Sequence, residues 1–261
     1  MKLVSWNING IRPRLSHLHD LIQAFDPDVI ALQETKVQDQ QFPQQDIKEW
    51  GYHFQTIRGQ KSYNGVAILS RLPCENSYHL NFHEEDGARH VMARHAGINI
   101  HNFYVPAGGD IPDPEQNHKF AHKLHFLDSM TAYASEGHFS KCSILVGDLN
   151  IAPSVYDVWS HKQLENVVSH TDIERNALCN LLQTSTMLDV VRYCYPEPEM
   201  LFSWWSYRSP DFRKNNRGRR LDHIWISPDL KDNIVSISLI DSFREKIKPS
   251  DHIPILLELR D

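Results

Sequence analysis

The chain has 261 residues, 41% hydrophobic and 23% charged, a composition that closes a sizeable core. No apolar run approaches the ~18 residues of a membrane span, and the opening Met1-Lys2-Leu3-Val4-Ser5 lacks the sections of a secretory signal, so a cytoplasmic protein without a membrane partner is expected. A net charge of −6 excludes a protein that coats nucleic acid through bulk positive charge, but it suits an enzyme whose acids hold a cation and whose bases cluster elsewhere.

Lys2 to Asn7 reads as a first strand. Pro13 then stands where a helix begins, with Leu15, Leu18, Leu21, Ile22 and Phe25 at helical spacing and Pro27 as its stop. Val29 to Gln33 and Gly65 to Ser70 read as buried strands. His90 to Val105 reads as two strands that turn at Ala96-Gly97, followed by a Pro-rich loop from 106 to 114. Phe120, Leu124, Leu127, Met130 and Tyr133 line one face of a long helix; Ser143 to Val146 is a short strand; Thr171-x-x-Glu174 is a capping box before another helix. Phe202–Tyr207, Leu221–Ser227, Ile234–Ile240 and Ile253–Leu259 complete a strand-rich chain. Cys74, Cys142, Cys179 and Cys194 form no C-x-x-C pair and read as reduced, mostly buried thiols rather than zinc ligands. His118, His122 and His125 have helical spacing, but no second ligand set accompanies them. No Gly-rich loop follows a strand, so a doubly wound nucleotide fold is not indicated. Two sheets packed face to face with helices outside would bury this pattern as one domain, 1–261.

The polar residues fall at strand ends. The apolar runs at 4–6, 30–32 and 144–146 lead into Asn7-Ile8-Asn9, Gln33-Glu34-Thr35 and Gly147-Asp148-Leu149-Asn150; Asp222 opens one strand, and Ser250-Asp251-His252 precedes the last. One such Asp or Asn is ordinarily a loop cap. Five sites of shared composition make a hard-oxygen set suited to Mg²⁺ or Mn²⁺, with one histidine to contact a phosphate or move a proton. Phosphodiester hydrolysis needs that combination.

Eight stretches in order resemble the exonuclease III family of apurinic/apyrimidinic endonucleases, within the endonuclease/exonuclease/phosphatase superfamily that includes DNase I. They are Trp6-Asn7-Ile8-Asn9-Gly10, Leu32-Gln33-Glu34-Thr35-Lys36, Tyr63-Asn64-Gly65-Val66-Ala67, Tyr104-Val105-Pro106, Gly147-Asp148-Leu149-Asn150, Ser203-Trp204-Trp205-Ser206-Tyr207-Arg208, Arg220-Leu221-Asp222 and Pro249-Ser250-Asp251-His252. The resemblance implies a four-layered α/β sandwich, two mixed sheets face to face with helices outside. It implies a Mg²⁺- or Mn²⁺-dependent enzyme, acting as a monomer on double-stranded DNA, that cuts 5′ to abasic sites and trims 3′ ends. Glu34 is implied as principal metal ligand with Asn7 and Asp251 alongside, and Asp148, Asn150 and His252 within reach of the ion. Asp148 would position or deprotonate the attacking water, Asn150 would orient it, His252 paired with Asp222 would contact the phosphate, and Tyr104 would stabilise the leaving side.

For DNA contact, Lys61, Tyr63, Arg89 and Asn102 are candidates, together with Trp204, Arg208, Arg219 and Leu221. The stretch from Arg208 to Arg220 carries six basic residues against one acid. One of Trp204 and Trp205 is expected in the core, since strand neighbours face opposite ways. In the family, the aromatic at the position of Trp204 lines a pocket for a base-free deoxyribose. Two positions depart from the family pattern. Arg219 stands where an apolar residue is common, and Ala107 where some members carry an amide. Two rival readings are a relative acting on a phosphoinositide or sphingomyelin head group, and a catalytically silent DNA-binding protein on the same fold.

Overall fold

A computed structural model describes residues 1–84, 87–208 and 211–260. In chain order its strands are β1 (Lys2–Asn7), β2 (Val29–Gln33), β3 (Phe54–Arg58), β4 (Val66–Ser70), β5 (Cys74–Tyr78), β6 (His90–His95), β7 (Ile98–Tyr104), β8 (Ser143–Asp148), β9 (Leu188–Asp189), β10 (Trp204–Trp205), β11 (Gly218–Arg219), β12 (Asp222–Ile226), β13 (Ile234–Leu239) and β14 (Ile255–Leu259). The helices are α1 (Leu15–Phe25), α2 (Gln44–Glu49), α3 (His118–Ser135), α4 (His161–Leu164), α5 (Asp172–Ser185), α6 (Val190–Cys194) and α7 (Phe212–Asn215).

One sheet has the order β13-β14-β1-β2-β4-β3 and the other β5-β6-β7-β8-β12-β9, with β10-β11 as a separate ribbon. Each large sheet holds one parallel pair, β1–β2 and β7–β8, among antiparallel neighbours. Both are therefore mixed, as the sequence pattern implies. Strand side chains alternate between faces, and the cores follow that alternation. Leu3, Val29, Ala31, Ile68, Ile144, Val146, Ile224 and Leu257 meet between the sheets. Val4, Trp6, Ile30 and Leu32 turn outward onto Leu18, Leu21 and Ile22 of α1. Leu145 and Trp225 turn the other way onto Phe126, Met130, Leu178 and Leu181 of α3 and α5. The result is four layers, helix on sheet on sheet on helix. Each buried aliphatic contributes roughly 1.5–3 kcal/mol.

Several local expectations hold. The α1 helix ends at Asp26 in the left-handed region (φ 48°), just before Pro27. Thr171 and Glu174 form the capping box of α5. Others need correction. The run 202–207 is a ladder only at Trp204–Trp205; the Ser203 backbone bonds to Arg219 and Ile253, and its Oγ accepts from the backbone N–H groups of Leu221 and Asp222. Three of the four free cysteines are exposed, and Cys74 is half-buried. The short helices α2, α4, α6 and α7 and the strands β3 and β5 were not anticipated.

Candidate active site

The same alternation that places Leu3, Ile144 and Ile224 between the sheets places Asn7, Asp148 and Asp222 there too, at one end of the sandwich. Register brings them side by side. Asp148 pairs with Tyr104 across the parallel β7–β8 contact and with Asp222 across β8–β12. Asn7 pairs with Gln33, the residue before Glu34. Gly147 makes the close β7–β8 approach possible, since a Cβ there would lie 1.9 Å from the Phe103 carbonyl. Glu34 and Asn150 both sit in the left-handed region, at φ 51° and 55°. Such conformations are costly for non-glycine residues and concentrate where a side chain must be aimed.

Asn7 is the hub. Its Nδ2 donates to Glu34 Oε1 at 2.9 Å and to Asp148 Oδ2 at 2.8 Å, and lies 3.3 Å from His252 Nε2. Ser250 Oγ donates to the Asn7 carbonyl at 2.7 Å, fastening the segment before β14 to the end of β1. His252 Nδ1 lies 2.8 Å from Asp222 Oδ2, and its Nε2 lies 3.6 Å from Asp148 Oδ2. Ser203 Oγ also donates to Asp222 Oδ2, at 2.6 Å. Asn150 donates its backbone N–H to Asp148 Oδ1 and its Nδ2 to the Val105 carbonyl, both at 2.9 Å.

The electrostatics follow from crowding acids out of water. Burial, reinforced by Asp222 and Glu34, outweighs His252 and pushes the Asp148 carboxyl up to about 7. Burial works against the charged His252 ring, yet Asp222 and Asp148 prevail and raise it to about 10. Burial, then Glu34 and Asp148, drives the Tyr104 phenol well above its ordinary value, so it stays protonated. Glu34 is held low against its own burial by Lys36, whose Nζ lies 2.6 Å from Oε2, and by Asn7.

Glu34, Asp148 and His252 offer ligand atoms all within 4.8 Å of one another. With Nδ1 of His252 engaged by Asp222, the ligand atoms left are mainly carboxylate oxygens, and no cysteine joins them. Lys36 already sets a positive charge against Glu34. This donor set fits a hard divalent cation. Asp251 is not part of that group. Its oxygens accept from Asn9 Nδ2 and Trp204 Nε1, both at 2.9 Å, at the edge of the same cleft.

The cleft has a volume of about 810 Å³ and runs from Glu34, Tyr104, Asn150 and His252 to Trp159, Trp204, Leu221 and the arginines 208, 217 and 219. Trp204 lines it, while Trp205 is buried, as strand alternation requires. Arg219 Nη1 donates to the Val168 carbonyl at 2.9 Å and to Ser169 Oγ at 2.6 Å, with its guanidinium 5.4 Å from the centre of the Trp204 ring. Lys61 is exposed, and Tyr63 is 70% exposed. Arg89 stacks 5.0 Å over the Tyr104 ring and bonds to its carbonyl. Asn102 is a correction. It is fully buried, bonded to Gln33 Nε2 and to the carbonyls of Leu32 and Ala67, so it bridges the two sheets beneath the site and reaches no DNA.

Lys36 and Ser203 were given no role from sequence, although both stand within the matched stretches. Trp159, on whose ring Arg217 of the basic stretch stacks at 4.6 Å, carries no signal in the sequence. His122 and His125 approach His83 by their rings, but among the described residues they belong to no metal-type cluster.

A buried acid–histidine–acid row beside a hard-cation site, opening on a cleft with aromatic and basic walls, defines a phosphoesterase of the metal-assisted class. Comparison with known proteins agrees. Residues 4–252 match the family model described as "Endonuclease/Exonuclease/phosphatase family". The chain is 33% identical to the exodeoxyribonuclease III of Haemophilus influenzae over the full length of both. Among solved structures it superimposes on an AP endonuclease from Archaeoglobus fulgidus (TM-score 0.93, 31% identity, 99% of each chain). It also superimposes on the 3′ phosphatase NExo from Neisseria bound to a product DNA hairpin (TM-score 0.91, 28% identity, 100% of each). The chain belongs to the endonuclease/exonuclease/phosphatase family.

Proposed function

We propose that this chain is a DNA repair nuclease of the exodeoxyribonuclease III type, hydrolysing the phosphodiester 5′ to abasic sites in double-stranded DNA and trimming 3′ ends. The observation that carries the reading is the row Asp148–His252–Asp222 set against Glu34 at the mouth of the cleft. Glu34 would hold Mg²⁺ or Mn²⁺ with Asn7 and Asp148 beside it, and the ion would polarise the phosphoryl oxygen. His252, kept protonated by Asp222, donates from Nε2 to a phosphate oxygen. Asp148 takes the proton of the attacking water, a task suited to a carboxylate whose pKa is near neutral. Asn150, whose backbone is fastened to Asp148, orients that water. The P–O3′ bond breaks, and the protonated Tyr104 donates to the leaving oxygen. The 5′-phosphate stays with the group in the pocket, between Trp204, Leu221 and Arg219. Arg208, Lys61, Tyr63 and Arg89 lie outside this row, and we assign them to contact with the strand. We place the protein in the cytoplasm as a monomer, where its four free cysteines remain reduced.

The test is a parallel assay on abasic duplex, undamaged duplex and duplex with 3′-phosphate ends, with EDTA and after Mg²⁺ is restored. Incision at the abasic site and release from 3′ ends, both abolished by EDTA, are expected. DNA binding without cleavage in Mg²⁺ or Mn²⁺, or cleavage confined to a phosphoinositide head group, would overturn the reading.

A further inference from the structure

Lys123 lies in the second turn of α3 with its side chain wholly buried, beside an equally buried Glu174 of α5. Its ammonium has three hydrogens and three acceptors: Glu174 Oε1 at 2.5 Å, the Asn150 carbonyl at 2.8 Å and the Ala107 carbonyl at 3.3 Å. The Glu174 carboxylate is filled in turn, accepting from the backbone N–H of Ser169 at 2.9 Å, from the backbone N–H of Thr171 at 3.2 Å and from Thr171 Oγ1 at 2.6 Å. The capping box explains the Thr171 contacts. It does not explain a buried cation, whose desolvation costs several kcal/mol and is offset only by complete pairing.

The pair ties together three segments that matter to the site. Asn150 carries the water-orienting amide. Ala107 follows Tyr104-Val105-Pro106. Ser169 holds Arg219 at the far wall of the cleft. All three carbonyl or amide anchors meet at one ion pair, and Lys123 itself does not line the cleft.

We propose that Lys123 and Glu174 are positioning residues, a buried ion pair that holds the backbone of Asn150 in its left-handed turn and keeps the Ser169 edge in register with it. The proposal rests on the role given to Asn150 above. Losing the pair displaces the water-orienting amide directly and Arg219 only through Ser169, so kcat should suffer more than KM. A misplacement of about 1 Å costs on the order of 100-fold in rate.

Lys123→Met or Glu174→Leu alone strands a buried charge and is expected to lower the melting temperature severely. Two double variants avoid this, Lys123→Met/Glu174→Leu and Lys123→Gln/Glu174→Gln. The first replaces the pair by apolar groups and the second by neutral hydrogen-bonding ones. For each, kcat and KM are measured on abasic and 3′-end substrates at saturating Mg²⁺ and referred to the folded fraction from thermal unfolding. The expected result is a folded double variant with kcat lowered 10-fold or more and KM within about 3-fold of the parent. A folded double variant that keeps the parent kcat overturns the proposal, since a merely structural pair returns activity together with stability. Asn150→Ala serves as the control. If that variant turns over normally, the role of Asn150 fails, and with it the reading of the site rather than the ion pair alone.

Discussion

Two buried ionic clusters flank the three residues Arg220-Leu221-Asp222, and they use similar groups to opposite ends. On one side Asp157 and Asp189 face Arg220 and Arg192. Arg220 is bonded to both acids, with Nε 2.7 Å from Asp157 Oδ1 and Nη1 2.8 Å from Asp189 Oδ2, and Arg192 joins at 2.5 Å. The charges balance, and despite burial Arg220 holds both carboxyls below their ordinary range. On the other side Glu34, Asp148 and Asp222 crowd one buried cation, His252, with Lys36 contributing from the rim. There Asp148 is pushed up instead of down. A balanced knot is a fastening. A knot with surplus negative charge is unfinished, and the surplus is what a divalent cation would balance.

The largest effect that follows is on turnover. Asp148→Asn removes a charge from the cluster that has too many, so the fold is retained while kcat on abasic duplex falls on the order of 1000-fold. Kinetics together with thermal unfolding check both halves. A variant that unfolded yet kept its turnover when folded would erase the distinction between the clusters.

The opposite pattern is expected of Arg220→Met. Two buried carboxylates would be left to Arg192 alone, at a cost of about 3–5 kcal/mol, which urea denaturation measures at pH 7. The pH dependence carries the same signature. The folded pKa values of Asp157 and Asp189 are depressed, so the unfolded chain binds more protons on acidification. Their stabilisation is complete above the unfolded value near 4 and is lost as pH falls below it. Wild-type stability should therefore drop below about pH 4, and Arg220→Met should show a smaller drop because it lacks the pairing that acid removes. Equal acid sensitivity in the two proteins would contradict the balanced-knot account.

The two clusters also differ in how far they could be read from sequence. Asn7, Asp148 and Asp222 stand at strand ends where period-2 alternation sets them on one face, and the matched motifs add Glu34 and His252 from the turns beside β2 and β14. The balancing cluster draws on Asp157 from a one-turn helix, Asp189 from a two-residue strand and Arg192 from α6. None of these elements has a hydrophobic period long enough to recognise. Lys123 was hidden for a related reason. It stands three residues after Phe120 and four before Leu127, on the buried face of α3, but a lysine breaks the apolar pattern there, and only the packing of α3 on α5 reveals the partner it meets. Asn102 misled in the reverse direction, since an amide within a strand looks like a surface contact until its partners, Gln33 and two carbonyls of the facing sheet, are seen. The strands β3 and β5 escaped because they lie at sheet edges and are half-buried or exposed, which blurs alternation.

The smallest expected effect tests the wall of the cleft farthest from the surplus charge. Arg219 is fastened by Val168 and Ser169 and leans on Trp204, so its guanidinium presents a cation where an apolar side chain would present only surface. A base-free deoxyribose gains little from that cation and loses apolar contact. Arg219→Leu should therefore raise kcat/KM for abasic duplex relative to 3′-end release by about 10-fold, equivalent to about 1.4 kcal/mol of discrimination. The metal cluster is untouched, so both activities should keep their EDTA sensitivity. The ratio of the two kcat/KM values, measured on the same preparation, isolates this wall from any general change in rate. An unchanged ratio would remove Arg219 from substrate choice and leave it as a strut between Trp204 and the Val168–Ser169 edge.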